Sequence, residues 1–111
     1  MIVVNRFRVD AADPTATAAF QRDVHEAHAA LAGRPGYVDG RVGRNVDDPS
    51  LWVLTTTWAD VGSYRRALSS YDVKLTAVPL LSRALDEPSA YETVERDGPH
   101  PPNEAVPRDI G

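Results

Sequence analysis

Apolar, β-branched and aromatic residues are concentrated in stretches of the chain that polar or turn-forming segments separate. Three of them, residues 2–9 (IVVNRFRV), 37–44 (YVDGRVGR) and 51–59 (LWVLTTTWA), have the composition of β-strands. A fourth stretch, residues 90–95 (AYETVE), alternates between apolar and polar positions. The pattern therefore predicts four strands.

The apolar residues change to helical spacing between the first two strands. Asp13-Pro14 places an N-capping carboxylate before a proline at the first helical position, and Gly33 is a stop signal. One face of the predicted helix is apolar and carries Phe20, Val24, Ala27 and Leu31.

Two further helical segments are predicted after the third strand. Asp60 can cap a short helix, and a second segment over about 72–85 is interrupted or bent at Pro79. The short helix has one apolar side, made of Val61, Tyr64 and Leu68.

The element order is β-α-β-β-α-β, which predicts an α+β, ferredoxin-like fold with a four-stranded antiparallel sheet and helices on one face. In residues 51–58 neither face of the strand is polar. A strand that is apolar on both faces requires cover on both. Helices cover one face, and the simplest cover for the other is the sheet of an identical subunit, so we expect a homodimer.

Composition limits the classes of function. The 111 residues suit one domain, and we expect it to span residues 1–96, followed by a flexible, proline-rich tail over 97–111. The net charge of -4, without a concentrated run of Lys and Arg, argues against nucleic-acid binding. The absence of cysteine excludes disulfides, zinc–cysteine sites and iron–sulfur clusters.

The remaining composition bears on location and origin. No segment has the length and apolar character of a signal peptide or a membrane span, so we expect a cytoplasmic protein without membrane contact. Lys74 is the only lysine among 12 basic residues, which is typical of a GC-rich bacterial genome.

Four local features now occur in order along nearly the whole chain: Val4-Asn5-Arg6-Phe7, Pro35-Gly36-Tyr37, Thr57-Trp58-Ala59-Asp60, and Tyr64 six residues after Trp58. The stretch from Met1 to about Glu95 resembles the antibiotic biosynthesis monooxygenase domain family of the dimeric α+β barrel superfamily. The resemblance implies a homodimer whose sheets face each other, with a small pocket between sheet and helices in each subunit.

The resemblance implies one of several activities. Some members are cofactor-free oxygenases that convert anthrone- or quinol-type aromatics to quinones, and another branch binds and degrades haem. We expect a cofactor-independent monooxygenase that uses dioxygen on a polycyclic aromatic or quinol-type molecule. The alternative is a non-catalytic protein that binds a small molecule or haem on the same fold.

Asn5 is the first candidate catalytic residue. Strand alternation places it on one face with Val3, Phe7 and Val9. An amide on an apolar face needs a hydrogen-bond partner, or burial costs about 1–3 kcal/mol. Either Asn5 donates to a substrate oxygen or dioxygen in the pocket, with Phe7 beside it as a substrate-binding residue, or backbone groups satisfy it. In the haem-degrading branch, an asparagine before arginine on this strand is functional.

Aromatic side chains are the next candidates. In the quinone-forming branch, a tryptophan at the end of the third strand and a tyrosine on the next helix line the substrate pocket, and Trp58 and Tyr64 match these positions. Trp52 shares the face of Trp58 and is expected to bind substrate too. The alternative is that these rings only pack the helix on the sheet. Where that branch has an asparagine four residues before the tryptophan, this chain has Leu54.

Two histidines lie on the first predicted helix. His25 points toward solvent, while His28 flanks the apolar face and is a candidate proton acceptor at the pocket edge. The alternative is a boundary histidine with its tip in water. No third ligand lies beside the pair, so we expect no metal site.

Cofactor-binding signals are missing from the sequence. The haem branch implies an axial histidine near Thr76, yet no histidine lies between His28 and His100, and the accompanying tryptophan is replaced near Ala67. The chain also lacks a Gly-rich dinucleotide loop and a nucleophile elbow. We therefore expect no cofactor.

Overall fold

Four strands form the sheet of this fold: β1, Ile2–Arg8, β2, Tyr37–Arg44, β3, Leu51–Trp58, and β4, Ala90–Tyr91. The sheet is antiparallel with the order β2-β3-β1-β4, so β3 lies inside it. The computed structural model describes residues 1–97. The predicted α+β class and the antiparallel four-stranded sheet are confirmed.

Helix α1, Pro14–Ala32, connects β1 to β2 and begins as predicted. The Asp13 carboxylate accepts a hydrogen bond from the backbone N–H of Ala16 at 3.0 Å, and this bond caps the helix. All four residues of the predicted apolar face of α1 are buried, and they form one core with side chains of β1 and β3. Periodicity alone therefore located this part of the core.

Three shorter helices follow β3. They are α2, Val61–Ser69, α3, Tyr71–Thr76, and α4, Val78–Leu81. The predicted interruption at Pro79 is confirmed, because α3 and α4 replace one continuous helix. Proline has no N–H to donate and its ring would collide with the carbonyl of Leu75, one turn earlier.

Strand β4 is shorter than the predicted 90–95. It pairs only through Tyr91 with Ile2 and through Ala90 with Val3. Because β1 begins at Ile2, residues after Tyr91 have no β1 partner opposite them in this register. Alternation indicated the strand, but pairing set its length.

The two faces of β3 differ in burial. The side facing the helices is buried, and it carries Trp52, Leu54, Thr56 and Trp58. The opposite side is only half-buried and carries Leu51, Val53, Thr55 and Thr57. Within a single chain, the described residues place no helix over this second face, which leaves it open as the sequence predicted.

The predicted flexible tail over 97–111 lies, apart from Asp97, outside the described residues. The limit of the domain at residue 96 stays a prediction. Among residues 1–97, no helix is both long and apolar enough to cross a membrane.

The turn before β2 connects to the start of α2 through Gly36. Its φ is +90°, a conformation that non-glycine residues rarely adopt, and its carbonyl accepts a hydrogen bond from the backbone N–H of Ala59 at 2.7 Å. A Cβ at this position would overlap the side chain of Ser63. Glycine at position 36 therefore allows the β2 turn to pack directly on α2.

We expect Gly36→Ala to lower the free energy of unfolding by roughly 2 to 4 kcal/mol, through the combined cost of positive φ and the overlap with Ser63. Urea unfolding curves measure this change. Gly33→Ala is the matched control, since Gly33 has a φ of -79° and its added Cβ would lie 3.6 Å from the Ala30 carbonyl oxygen, an ordinary van der Waals contact. Equal midpoints for the two variants would contradict the account.

Candidate functional site

Two cavities lie beside each other between the sheet and the helices, and Tyr64 and Leu68 line both. The Asn5 cavity has a volume of about 420 Å³ and is lined by Asn5, Tyr64, Leu68, Val78, Leu81 and Ser82. The Met1 cavity has a volume of about 630 Å³ and is lined by Met1, Val61, Tyr64, Arg65, Leu68, Ala90, Tyr91 and Glu92. Together they form a groove with mainly apolar walls, of a size that suits small organic ligands.

Asn5 lies in the middle of β1 and lines the end of the groove that α4 borders. The side-chain hydrogen bonds of β1 are made by Arg6 and Arg8. Within residues 1–97, no protein group hydrogen-bonds to the Asn5 amide, and neither of its polar atoms is fully buried. The amide is therefore free to bind a ligand in the cavity.

Tyr64 lines both cavities, and its ring packs against that of Trp58. The Asp60 carboxylate caps α2 by accepting from the Ser63 N–H at 2.7 Å, which fixes the turn that carries Tyr64. Burial raises the pKa of the Tyr64 phenol above 10.0, so its hydroxyl stays protonated at neutral pH. Tyr64 can thus donate a hydrogen bond to a ligand.

Trp58 is 1% exposed and lies behind Tyr64, with the two ring centroids 5.5 Å apart. Its indole N–H donates to the Thr56 hydroxyl at 2.9 Å. Its backbone N–H donates to the Met1 carbonyl at 2.9 Å. Trp58 therefore supports the groove wall and orients Tyr64 and Met1 without itself lining either cavity.

The segment between α4 and β4 is attached to β1 by contacts between residues that are far apart in the sequence. Arg6 donates two hydrogen bonds to the Glu87 carboxylate, at 2.7 and 2.6 Å. The backbone N–H of Leu85 donates to the Arg6 carbonyl at 2.8 Å, and that of Val4 donates to the Ser89 carbonyl at 2.7 Å. These contacts attach the segment after α4 to β1. The hydrogen bond and charge of Arg6 lower the pKa of Glu87.

His28 lies outside the groove and bonds to Tyr37. Its Nε2 is 2.6 Å from the Tyr37 hydroxyl oxygen. Burial lowers the pKa of His28 below 6.5, with a further contribution from the charge of His25. Burial, and then the charge of Asp39, raise the pKa of Tyr37 above 10.0. Both partners are therefore neutral at neutral pH.

The remaining predicted residues belong to other parts of the molecule. Phe7 is 1% exposed and packs against Phe20 in the core. Trp52 packs on the other side of Phe20 and lines a separate cavity of about 320 Å³, where the Arg44 guanidinium lies 4.8 Å from its ring centroid. Of the six predicted site residues, only Asn5 and Tyr64 line the groove, and Trp58 supports it.

Sequence reasoning missed most of the groove walls. Leu68 and Val61 were predicted on the same helix side as Tyr64, which was a usable signal. The segment 78–82 gave no such signal, because its position depends on contacts with β1. The same holds for Ala90–Tyr91 and for the charged residues Arg65 and Glu92, which face the Met1 cavity.

The described residues offer few ligands for a metal ion. Among residues 1–97 there is no group of three or more His, Cys, Asp or Glu side chains that could hold one. The i, i+3 pair His25 and His28 therefore has no third partner there, and His28 is occupied by Tyr37.

The lowered pKa of His28 predicts how stability depends on pH. Above pH 6.5 both folded and unfolded chains are neutral at this site; as the pH falls through 6.5, only the unfolded chain binds a proton, so the free energy of unfolding decreases. The decrease is complete below the folded-state pKa. We expect urea unfolding at a series of pH values to show this loss in the wild type and in His25→Gln, and a weaker one in His28→Gln. Identical profiles for all three proteins would contradict it.

Solved structures of other proteins resemble this chain. The chain resembles the structure of SnoaB, a cofactor-independent oxygenase from Streptomyces nogalater, at 26% identity and a TM-score of 0.68, over 87% of this chain and 96% of that one. It also resembles a conserved protein from Methanosarcina mazei Go1, at 24% identity and a TM-score of 0.62, over 80% of this chain and 84% of that one. No curated protein matches it.

The family comparison covers most of the described fold. The family defined as antibiotic biosynthesis monooxygenase matches residues 1–77, from β1 through α3. This range includes Asn5, Trp58 and Tyr64, and it agrees with the resemblance that the sequence motifs indicated. The chain therefore belongs to the antibiotic biosynthesis monooxygenase family.

Proposed function

We propose that this protein is a cofactor-independent monooxygenase that oxidises a polycyclic aromatic or quinol-type small molecule with dioxygen in the groove. The observation that carries the proposal is the Asn5 amide, which lines a mainly apolar cavity beside Tyr64 and has no protein partner within residues 1–97. Membership of the family and the likeness to SnoaB, a cofactor-independent oxygenase, support the same chemistry.

Such a reaction depends on electrons from the substrate. A phenol or enol becomes a good electron donor to dioxygen once its proton has passed to solvent at the open side of the groove, and the proton returns when water forms. Hydrogen bonds from the Asn5 amide and the Tyr64 hydroxyl would favour that anion, because donors lower the pKa of the group whose charged form they bind. A flat apolar ligand that fills the groove displaces its water, so these donors then act without competition from solvent.

The products follow from the balance of atoms. When the substrate is an anthrone, its CH₂ group becomes the second carbonyl of a quinone. One oxygen atom of dioxygen enters that carbonyl, and the other leaves as water with the two hydrogens. In this proposal Phe7, Trp52 and His28 do not touch the substrate, since they lie outside the groove.

We expect Asn5→Ala to reduce kcat/KM for a reactive anthrone or quinol by about 10²-fold or more, the usual effect of removing one preorganised donor to a developing anion. Tyr64→Phe should have a smaller effect in the same direction. An oxygen electrode with a panel of anthrones and quinols measures the rates. Tyr71→Phe is the control, since Tyr71 is 76% exposed and lies outside the groove.

Oxygen uptake by the wild type that does not exceed that of buffer across the whole panel would overturn the monooxygenase proposal. If Asn5→Ala and Tyr64→Phe were as active as the wild type, the protein would still be a monooxygenase, but its active site would lie outside the groove.

A non-catalytic binding protein is the second candidate. Leu54 stands where the quinone-forming branch has an asparagine, and it is 1% exposed in the core. This chain therefore has one amide fewer near Trp58 than the resemblance implies. Binding of an aromatic quinol, detected by quenching of tryptophan emission without oxygen uptake, would support this candidate.

A haem-binding protein is a specific case of this second candidate. Thr76, near which the axial histidine is expected, is an exposed residue at the end of α3. Titration of the protein with haem tests it, and a shifted Soret band that is lost in Asn5→Ala would support haem binding in the groove.

We also propose a homodimer formed through the open face of the sheet. On this face the half-buried Val4 lies directly opposite Thr55, while Val53 and Leu51 lie opposite Arg6 and Arg8. Half-buried apolar side chains in the middle of an uncovered sheet face are costly to leave in water. The second sheet of a barrel would cover it.

We expect the wild type to sediment as a dimer at micromolar concentration and Val53→Lys to sediment as a monomer, because the new ammonium group would be buried opposite the like charge of Arg6. Val46→Lys is the control, since Val46 is 96% exposed in the β2–β3 connection. A monomeric wild type would contradict the dimer. The bacterial origin and cytoplasmic location stay predictions.

A further inference from the structure

A continuous row of aromatic side chains runs from the groove, between the sheet and the helices, to α1. The Tyr64 ring lies 5.5 Å from Trp58, Trp58 lies 5.5 Å from Tyr37, and Tyr37 lies 5.8 Å from His28, measured between ring centroids. These separations are those of aromatic rings in direct contact. The row is not used by the proposed oxygenation chemistry, which needs only its first member.

The members of the row differ in where a proton could go. The Trp58 N–H donates to the Thr56 hydroxyl, which is a very weak base. Within residues 1–97, Tyr64 has no side-chain partner for its hydroxyl. Tyr37 alone has a base on its oxygen, since His28 Nε2 lies 2.6 Å away. Tyr37 is therefore the member that can lose an electron and a proton together.

The backbone of β2 leaves space for the contact between His28 and Tyr37. Gly40, on β2, lies beneath the pair, and a Cβ there would lie 2.7 Å from His28 Nε2 and 2.9 Å from the Tyr37 hydroxyl oxygen. Any other residue would push the two rings apart. A glycine at this point of a paired strand weakens the sheet, yet it permits the hydrogen bond.

We propose that Tyr64, Trp58, Tyr37 and His28 form a relay that carries a one-electron oxidising equivalent out of the groove and stores it on Tyr37. A radical oxidant of the phenoxyl or peroxyl class in the groove gains one electron from Trp58, through contact with Tyr64. Trp58 regains an electron from Tyr37, and the phenolic proton of Tyr37 moves to Nε2 of His28.

The products are a reduced oxidant, intact Trp58, a neutral tyrosyl radical on Tyr37 and a protonated His28. The step uses the His28 tautomer whose other proton is on Nδ1. Both partners start neutral, as the raised pKa of Tyr37 and the lowered pKa of His28 require. Tyr37 is half-buried, so a thiol or ascorbate in solution can reduce its radical.

The biological use of the relay rests on the proposed oxygenase function, because that reaction would generate radicals in the groove. The existence of the relay does not rest on that function, and the relay can be tested without substrate. Azide radicals formed by pulse radiolysis oxidise tryptophan in the intact protein. Transient absorption then follows the indolyl radical as it decays and a tyrosyl radical as it forms.

We expect a phase of indolyl-to-tyrosyl transfer whose rate is independent of protein concentration, in the wild type and in Tyr71→Phe. Tyr37→Phe should lose this phase. His28→Gln should slow it by about tenfold or more, which corresponds to ~1.4 kcal/mol of barrier. Glutamine can accept the hydrogen bond of Tyr37 but cannot take its proton, so this variant separates proton transfer from positioning.

Circular dichroism confirms that the variants are folded before rates are compared. An unchanged phase in Tyr37→Phe, or a rate proportional to protein concentration, would overturn the relay. An unchanged rate in His28→Gln would overturn the assignment of His28 as proton acceptor. Because no substrate is present, a positive result stands even where no oxygen uptake is found.

Discussion

The contact of Trp58 with Tyr37 on one side and Tyr64 on the other is the interaction on which the rest of the site depends. Trp58 ends β3, pairs through its backbone with Met1 and is buried at the place where strand, turn and helix α2 meet. Tyr64 can form a groove wall only because a large ring fills the space behind it. Loss of the indole would leave a cavity there, and the surrounding residues would collapse into it only in part.

The sequence predicted those parts of the molecule that follow from local periodicity. Alternation in 51–58 placed Trp52 and Trp58 on one shared face, which proved to be the buried one, and helical spacing identified the apolar stripe of α1. Alternation could not say how deeply a residue is covered. Asn5 and Phe7 share a face of β1, but Phe20 covers Phe7, while the Asn5 cavity leaves the amide accessible.

The rest of the site depends on contacts between distant residues, for which a single sequence carries no signal. Arg6 and Glu87 are 81 positions apart, and their ion pair helps to attach to β1 the segment that follows the α4 residues lining the Asn5 cavity. Likewise, His28 was predicted at the pocket edge from its position on α1, yet the turn through Gly36 brings Tyr37 against it. Helical geometry gave the side of α1 on which His28 lies, but not its partner.

The polar groups of the groove are placed unevenly, and this limits the kind of ligand that it can bind. Asn5 and Ser82 line one cavity, Arg65 and Glu92 line the other, and Tyr64 and Leu68 line both. Water in the Asn5 cavity would hydrate the amide and remove most of its preference for a substrate anion. A flat ligand that fills the apolar middle displaces this water, and the amide then acts in a low dielectric, where its hydrogen bond is stronger. Selectivity therefore depends on shape first, and the single amide acts only once the shape is matched.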